Sequence, residues 1–150
     1  MKICAAQEEL RATLNAFVNP WRKLTIAVDG IPGVGKSTLG RYLAWQLEIP
    51  LVETDLFRIM EEEPPAYRYS ELAEIIRSRH ELDRPIIIEG VFALHILSAL
   101  GIEPDYLAYV ENTEADEGLR YKEALDRYLV EFSPKEKADY VLDSESLVGM

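Results

Sequence analysis

Residues 29–38 read DGIPGVGKST, and few stretches of this length leave a chain less freedom. Gly30, Gly33 and Gly35 permit backbone angles closed to other residues, while Pro32 fixes one more. The flanks narrow the choice further. LTIAV (24–28) is a short apolar run rich in β-formers, and Leu39, Leu43 and Leu47 recur every four residues on one helical face. A strand, a glycine-bearing turn and a helix therefore follow one another without a spacer, which is how a βαβ unit begins.

The rest of the chain repeats that alternation. Ile3, Leu10, Leu14 and Phe17 share a face of an amphipathic helix expected over 3–18, stopped at Asn19-Pro20. After Pro50, LVET predicts a second strand ending at Asp55, and the irregular EEEPPAYRYS leads into SELAEIIRSR, a helix with Leu72, Ile75 and Ile76 on one face. Arg84-Pro85 introduces IIIEG, a continuous apolar run expected for a parallel strand covered on both faces and placed at the centre of the sheet. A short apolar helix runs to Leu100, and YLAYV (106–110) is a fourth strand. Residues 114–132 predict a helix with Tyr121, Leu125, Tyr128 and Phe132 in line, and ADYVLD (138–143) offers a fifth strand. The expected fold is a three-layer α/β/α sandwich: a mostly parallel five-stranded sheet with helices on both faces and an extra N-terminal helix. Right-handed crossovers bring every strand's carboxyl end to one edge, where ligands of such sheets bind. At 150 residues, 1–150 is expected to form one domain, with 1–20 as the N-terminal helix and 21–150 as the core.

Charge limits the partners. Sixteen Lys and Arg against 27 Asp and Glu give a net charge of −11, which repels nucleic acid and anionic membranes. Cys4 is the only cysteine, so an intramolecular disulfide and a cysteine-based metal cluster are excluded. No run approaches the ~18 apolar residues of a membrane span, and MKICAAQEELR turns acidic where a signal peptide would stay apolar. The expected compartment is the cytoplasm. Composition says nothing of oligomeric state.

Gly30 to Ser37 satisfies G-x-x-x-x-G-K-[ST] in the context its mechanism needs, after a strand and opening a helix. Backbone amides of Gly30, Ile31, Pro32, Gly33, Val34, Gly35, Lys36, Ser37 and Thr38, proline excepted, are then expected to wrap the phosphates of ATP. Lys36 neutralises the β and γ groups, and the Ser37 hydroxyl binds Mg²⁺. Two acids are expected at strand ends on the same edge. Glu89 is a candidate metal ligand, direct or through water, against the alternative of a solvent-facing acid. Asp55 is a candidate general base for an attacking hydroxyl, against the alternative of capping a helix over LFRIM.

DGIPGVGKST, VETDLFR, IIIEGVFAL and KADYVLD together resemble the uridine kinase and phosphoribulokinase-like group of P-loop kinases, over roughly residues 24 to 143. The first block, extended to DGIPGVGKSTLGRYLA, also resembles cytidylate-type nucleotide kinases. The first resemblance implies transfer of the γ-phosphoryl of Mg·ATP to a hydroxyl of a small molecule, with Asp55 in the acceptor site and Glu89-Gly90 near the metal. Members of that group also close an arginine-bearing lid of pattern R-L-x-R-R-x-x-R-D, where this chain has GLRYKEALD (118–126). Arg120, Lys122 and Asp126 remain, but the paired arginines do not. Arg120, Lys122 or Arg127 would supply the missing cations, or they are solvated helix charges; in the latter case the chain is a nucleotide-binding module with little turnover. A GTPase switch is disfavoured, since neither N-K-x-D nor D-x-x-G follows the loop.

Tyr67, Arg68 and Tyr69 follow Pro64-Pro65 in the loop facing the expected acceptor site; with Arg58 they are candidate substrate contacts or a loop folded over the core. His80 and His95 are expected to be structural, Trp21 and Trp45 to pack the N-terminal helix on the sheet, and Glu61 to Glu63 to be solvated.

Overall fold

Helix α1 (Ala5–Val18) buries a stripe of Gln7, Leu10, Leu14 and Val18, the helical spacing seen in the sequence. The Cys4 backbone N–H donates to the Gln7 side chain at 3.0 Å and opens the helix. The structure, a computed structural model, describes residues 4–63, 65–111 and 121–143. After α1 the chain alternates: β1 (Thr25–Gly30), α2 (Lys36–Leu47), β2 (Leu51–Glu53), a 3-10 turn (Thr54–Phe57), α3 (Tyr69–Glu81), β3 (Ile86–Glu89), α4 (Ala93–Ala99), β4 (Tyr106–Glu111), α5 (Lys122–Phe132), α6 (Pro134–Lys137) and β5 (Tyr140–Asp143).

All five strands are parallel, in the order β2-β3-β1-β4-β5. Parity along the strands divides the core. Ile26, Val28 and Ile87 face α1 and α2 with Leu10, Leu14, Leu39 and Leu43. Ala27, Ile86 and Ile88 face the other way, toward Leu72, Ile76, Leu97 and Leu125. Both faces are covered, as a parallel sheet requires, and the architecture is the expected α/β/α sandwich. Register pairs Val28 and Glu53 with Glu89, and Gly30 with Val110, so the carboxyl ends finish nearly level.

Several expectations change. The centre of the sheet is β1, with β3 inserted between it and β2. A continuous apolar run reports burial on two faces, a property all interior strands share, so it could not single out the middle one. Asp55 does not end a strand; β2 stops at Glu53 and Asp55 lies in the 3-10 turn, with no helix over LFRIM. Ile75 is 42% exposed, leaving Leu72 and Ile76 as the buried face of α3. Trp45 is 70% exposed on α2, and Trp21 lies under the guanidinium groups of Arg79 and Arg84 rather than under α1. Tyr121 precedes α5 in a left-handed conformation, φ 60°, and α6 has no counterpart in the sequence expectation. Ile3 and residues 114–120 of the expected helices lie outside the described residues. Among the described residues no helix is long and apolar enough to cross a membrane.

Candidate active site

Strand β1 delivers the chain to Gly30 at φ 154°, where a Cβ would stand 2.4 Å from the Val110 carbonyl oxygen of β4. Only glycine lets the backbone leave the sheet there. Gly35, at φ 97°, turns the chain into α2, which starts at Lys36. The amides of that first helical turn, together with the dipole, face back into the turn made by Ile31, Pro32, Gly33 and Val34. Lys36 passes under this turn. Its stem lies 3.3 Å from where a Gly30 Cβ would be, and its ammonium donates to the Ile31 carbonyl at 2.8 Å. Burial lowers the Lys36 pKa, opposed by Glu89, Asp29 and Asp55.

Ser37, one residue on, donates its hydroxyl to Glu89 at 3.1 Å. Glu89 is the last residue of β3 and is buried; burial raises its pKa, opposed chiefly by Lys36 and the Ser37 hydroxyl. It therefore faces the loop rather than solvent. A hydroxyl and a carboxylate joined beside a phosphate cradle are the hard oxygen donors Mg²⁺ takes. Among the described residues no cluster of three His, Cys, Asp or Glu could hold a metal, so an ion there would complete its shell with phosphate oxygens and water. The pair fits Mg²⁺ on those terms.

Gly90 places the second acid. A Cβ at Gly90 would fall 1.8 Å from the Thr54 hydroxyl oxygen, so its absence lets the 3-10 turn lie against the end of β3. That hydroxyl is buried with no hydrogen-bond partner among the described residues. The turn holds Asp55 at the mouth of a cavity of about 360 Å³ next to Pro32. Arg58, Met60, Tyr67, Phe92 and Tyr121 also line it. An isolated antiparallel bridge between Arg58 and Tyr67 closes the loop that carries both, with Ile59 N–H on Ala66 O at 2.9 Å and Arg68 N–H on Phe57 O at 2.7 Å. Burial raises the Tyr67 pKa, with Asp55 adding to it, so the phenol is neutral. Roomier cavities of about 530 and 670 Å³ lie around Gly101 to Asp105, at the amino ends of the strands, away from the loop and both acids.

Lys36, Ser37, Glu89, Asp55, Arg58 and Tyr67 are thus gathered at the carboxyl edge of the sheet. The other candidates are not. Arg68 is exposed, 3.7 Å from Glu71 at the start of α3, and does not line the cavity. Lys122 forms an exposed pair with Asp126 at 3.2 Å, Arg127 is exposed, and Arg120 lies outside the described residues. Thr38 follows Ser37 in the first turn of α2. His80 contacts Thr25 and the Leu24 carbonyl, both at 3.3 Å, and His95 packs edge-on to Phe132.

Asp29 was missed. It is fully buried at the end of β1, accepts from the Gly30 N–H at 2.7 Å, and accepts from the Tyr128 hydroxyl at 2.5 Å. That hydroxyl accepts in turn from the Leu94 N–H at 3.0 Å, linking loop, α4 and α5. Burial pushes Asp29 up to about 7 against the pull of the Tyr128 hydroxyl, the Gly30 amide and Lys36. An acid immediately before the first glycine was visible in DGIPGVGKST; its partner, 99 residues away, was not.

A parallel sheet carrying such a loop between its middle strand and first crossover helix is the P-loop α/β fold, and solved structures described as kinases share it. A possible uridine kinase from Bacillus stearothermophilus aligns over 92% of this chain and 97% of its own, with TM-score 0.65 and 21% identity. A sugar kinase from Janibacter sp. HTCC2649, in an unliganded structure, aligns over 84% and 87%, with TM-score 0.53 and 17% identity. These likenesses carry the fold. No family model and no curated protein matches the chain.

Proposed function

We propose that this chain, acting as one domain in the cytoplasm, moves the γ-phosphoryl group of Mg·ATP to a hydroxyl of a small molecule, a nucleoside or a similar compound. The observation that carries this is the convergence of a phosphate-type loop, the Ser37 and Glu89 pair, and Asp55 at the mouth of a cavity beside Pro32. The names of the similar structures, a possible uridine kinase and a sugar kinase, support the same class.

In that reading the loop amides and Lys36 hold the polyphosphate, and Lys36 exchanges its bond to Ile31 for phosphate oxygens. Ser37 and Glu89 would hold Mg²⁺, which would supply neutralisation of phosphate charge. Asp55 accepts the proton of the attacking hydroxyl, which the cavity walls orient. Phe92 and Tyr67 exclude water from the acceptor side. Acceptor-dependent ADP release is the expected signal when nucleosides, sugars and vitamin-like alcohols are screened. Asp55→Asn should lower kcat by about 10² to 10⁴. No stimulation by any acceptor, together with an Asp55→Asn variant equal to wild type, would contradict the assignment.

A second reading, a nucleotide-binding module with little turnover, is favoured by one observation: Lys122 pairs with Asp126 in solvent and Arg127 is exposed, the state of solvated helix charges. It predicts binding of Mg·ATP with no acceptor-stimulated ADP.

A further inference from the structure

Among the described residues, Arg58 is the one cation lining the cavity at Asp55. Its guanidinium lies over the Tyr121 ring, 4.2 Å from the centroid, and Nη1 donates to the Tyr121 hydroxyl. The opposite edge is different. Among the described residues, Nε–H is buried without a hydrogen-bond partner and no carboxylate stands within ion-pair distance of the group. Other described arginines also lack an acid partner, but Arg58 combines that with a buried, unpartnered Nε and a place in the same cavity as Asp55. A half-buried guanidinium with an unsatisfied donor is costly until an acceptor of charge reaches it. A guanidinium is compensated best by charge-assisted hydrogen bonds to a carboxylate or phosphate, and Tyr121 fixes the orientation of this one beforehand.

We propose that the acceptor carries an oxyanion, a carboxylate or a phosphate, which Arg58 holds while the hydroxyl to be phosphorylated sits at Asp55. This rests on the phosphotransferase reading above and narrows its acceptor from any small alcohol to an anionic one. The remaining walls, Met60, Tyr67 and Phe92, offer apolar surface to the carbon skeleton between the two groups. A competing source of oxyanion is the γ-phosphoryl group itself, since Pro32 of the loop lines the same cavity.

The test compares anions with neutral molecules of matching carbon skeleton: glycerate and glycerol 3-phosphate against glycerol, gluconate against glucitol, and pantothenate against panthenol. Thermal stabilisation in the presence of Mg·ADP and phosphoryl transfer from Mg·ATP are measured for each, in wild type, Arg58→Met and Arg58→Lys. At least one anion should raise Tm by 2 °C or more beyond its neutral twin and be phosphorylated with at least tenfold higher kcat/KM. Arg58→Met should cut that preference below threefold, through KM rather than kcat, and Arg58→Lys should restore part of it. Neutral twins that bind as well as the anions, or a preference that survives in Arg58→Met, would overturn the proposal. So would an Arg58→Met variant that weakens Mg·ATP while keeping the preference, because the oxyanion would then be the γ-phosphoryl group. The two claims fail separately: anion-selective stabilisation without transfer sinks the phosphotransferase and leaves Arg58 its role, whereas transfer confined to neutral alcohols does the reverse.

Discussion

Asp29 shows what a single buried carboxyl does to this molecule. Its two partners, the Gly30 amide and the Tyr128 hydroxyl, hold the chain in place where it leaves the sheet to form the loop. Folded, the group keeps its proton up to about pH 7; unfolded, it would lose it near an ordinary aspartate value of about 4. Between those values the folded state binds the extra proton, so this group's contribution to stability falls as pH rises and levels off above 7. Asp29→Asn keeps an acceptor for Tyr128 and removes the titration. Relative to wild type, the variant should therefore gain roughly 2 kcal/mol between about pH 5.5 and about pH 8 in urea unfolding. A difference independent of pH would show that Asp29 is ionised throughout. Arg58 belongs to the same scale: one side chain, positioned by one ring, sets the chemistry the cavity can accept.

At the scale of elements, the decisive contact is between the end of β3 and the 3-10 turn that carries Asp55. Gly90 permits it, and the Thr54 hydroxyl fills the space a Cβ would need. Gly90→Ala should push the turn off the strand, lowering stability by about 1–3 kcal/mol, as overpacking does, and moving Asp55 away from the acceptor. Thr54→Ala removes the oxygen at 1.8 Å and leaves the Thr54 Cβ at 3.1 Å, so the double variant should recover most of the loss. Additive effects in a double-mutant cycle of urea midpoints would count against the contact. The contrast with the loop explains how much could be read beforehand. Gly30 to Ser37 is legible because the cradle needs particular residues at consecutive positions, and the alternation of apolar runs fixes a parallel sheet. Glu89 was legible because strand ends share one edge, whereas Asp55 reaches that edge from the 3-10 turn after β2 and not from a strand end. Arg58 with Tyr121, and Asp29 with Tyr128, are separated by 63 and 99 residues, and only tertiary packing joins them. The same limit misplaced Trp45 and Ile75, whose apolar character says nothing of which neighbour, if any, covers them.

For the whole molecule, the main tension lies between a net charge of −11 and a ligand that is itself an anion. The fold resolves it locally: three glycines, a helix N-terminus and the Lys36 ammonium converge at the middle strand, while Ser37 and Glu89 offer Mg²⁺ a place beside them. Distant surface acids are screened at physiological salt, so the cradle and the metal decide affinity. The most direct test is a calorimetric titration of Mg·ATP into wild type and Lys36→Ala. The account predicts saturable binding by wild type and affinity about 10- to 100-fold weaker in the variant, the loss expected for hydrogen bonds to a charged group. Absence of heat with wild type, or equal affinity in the two proteins, would contradict it.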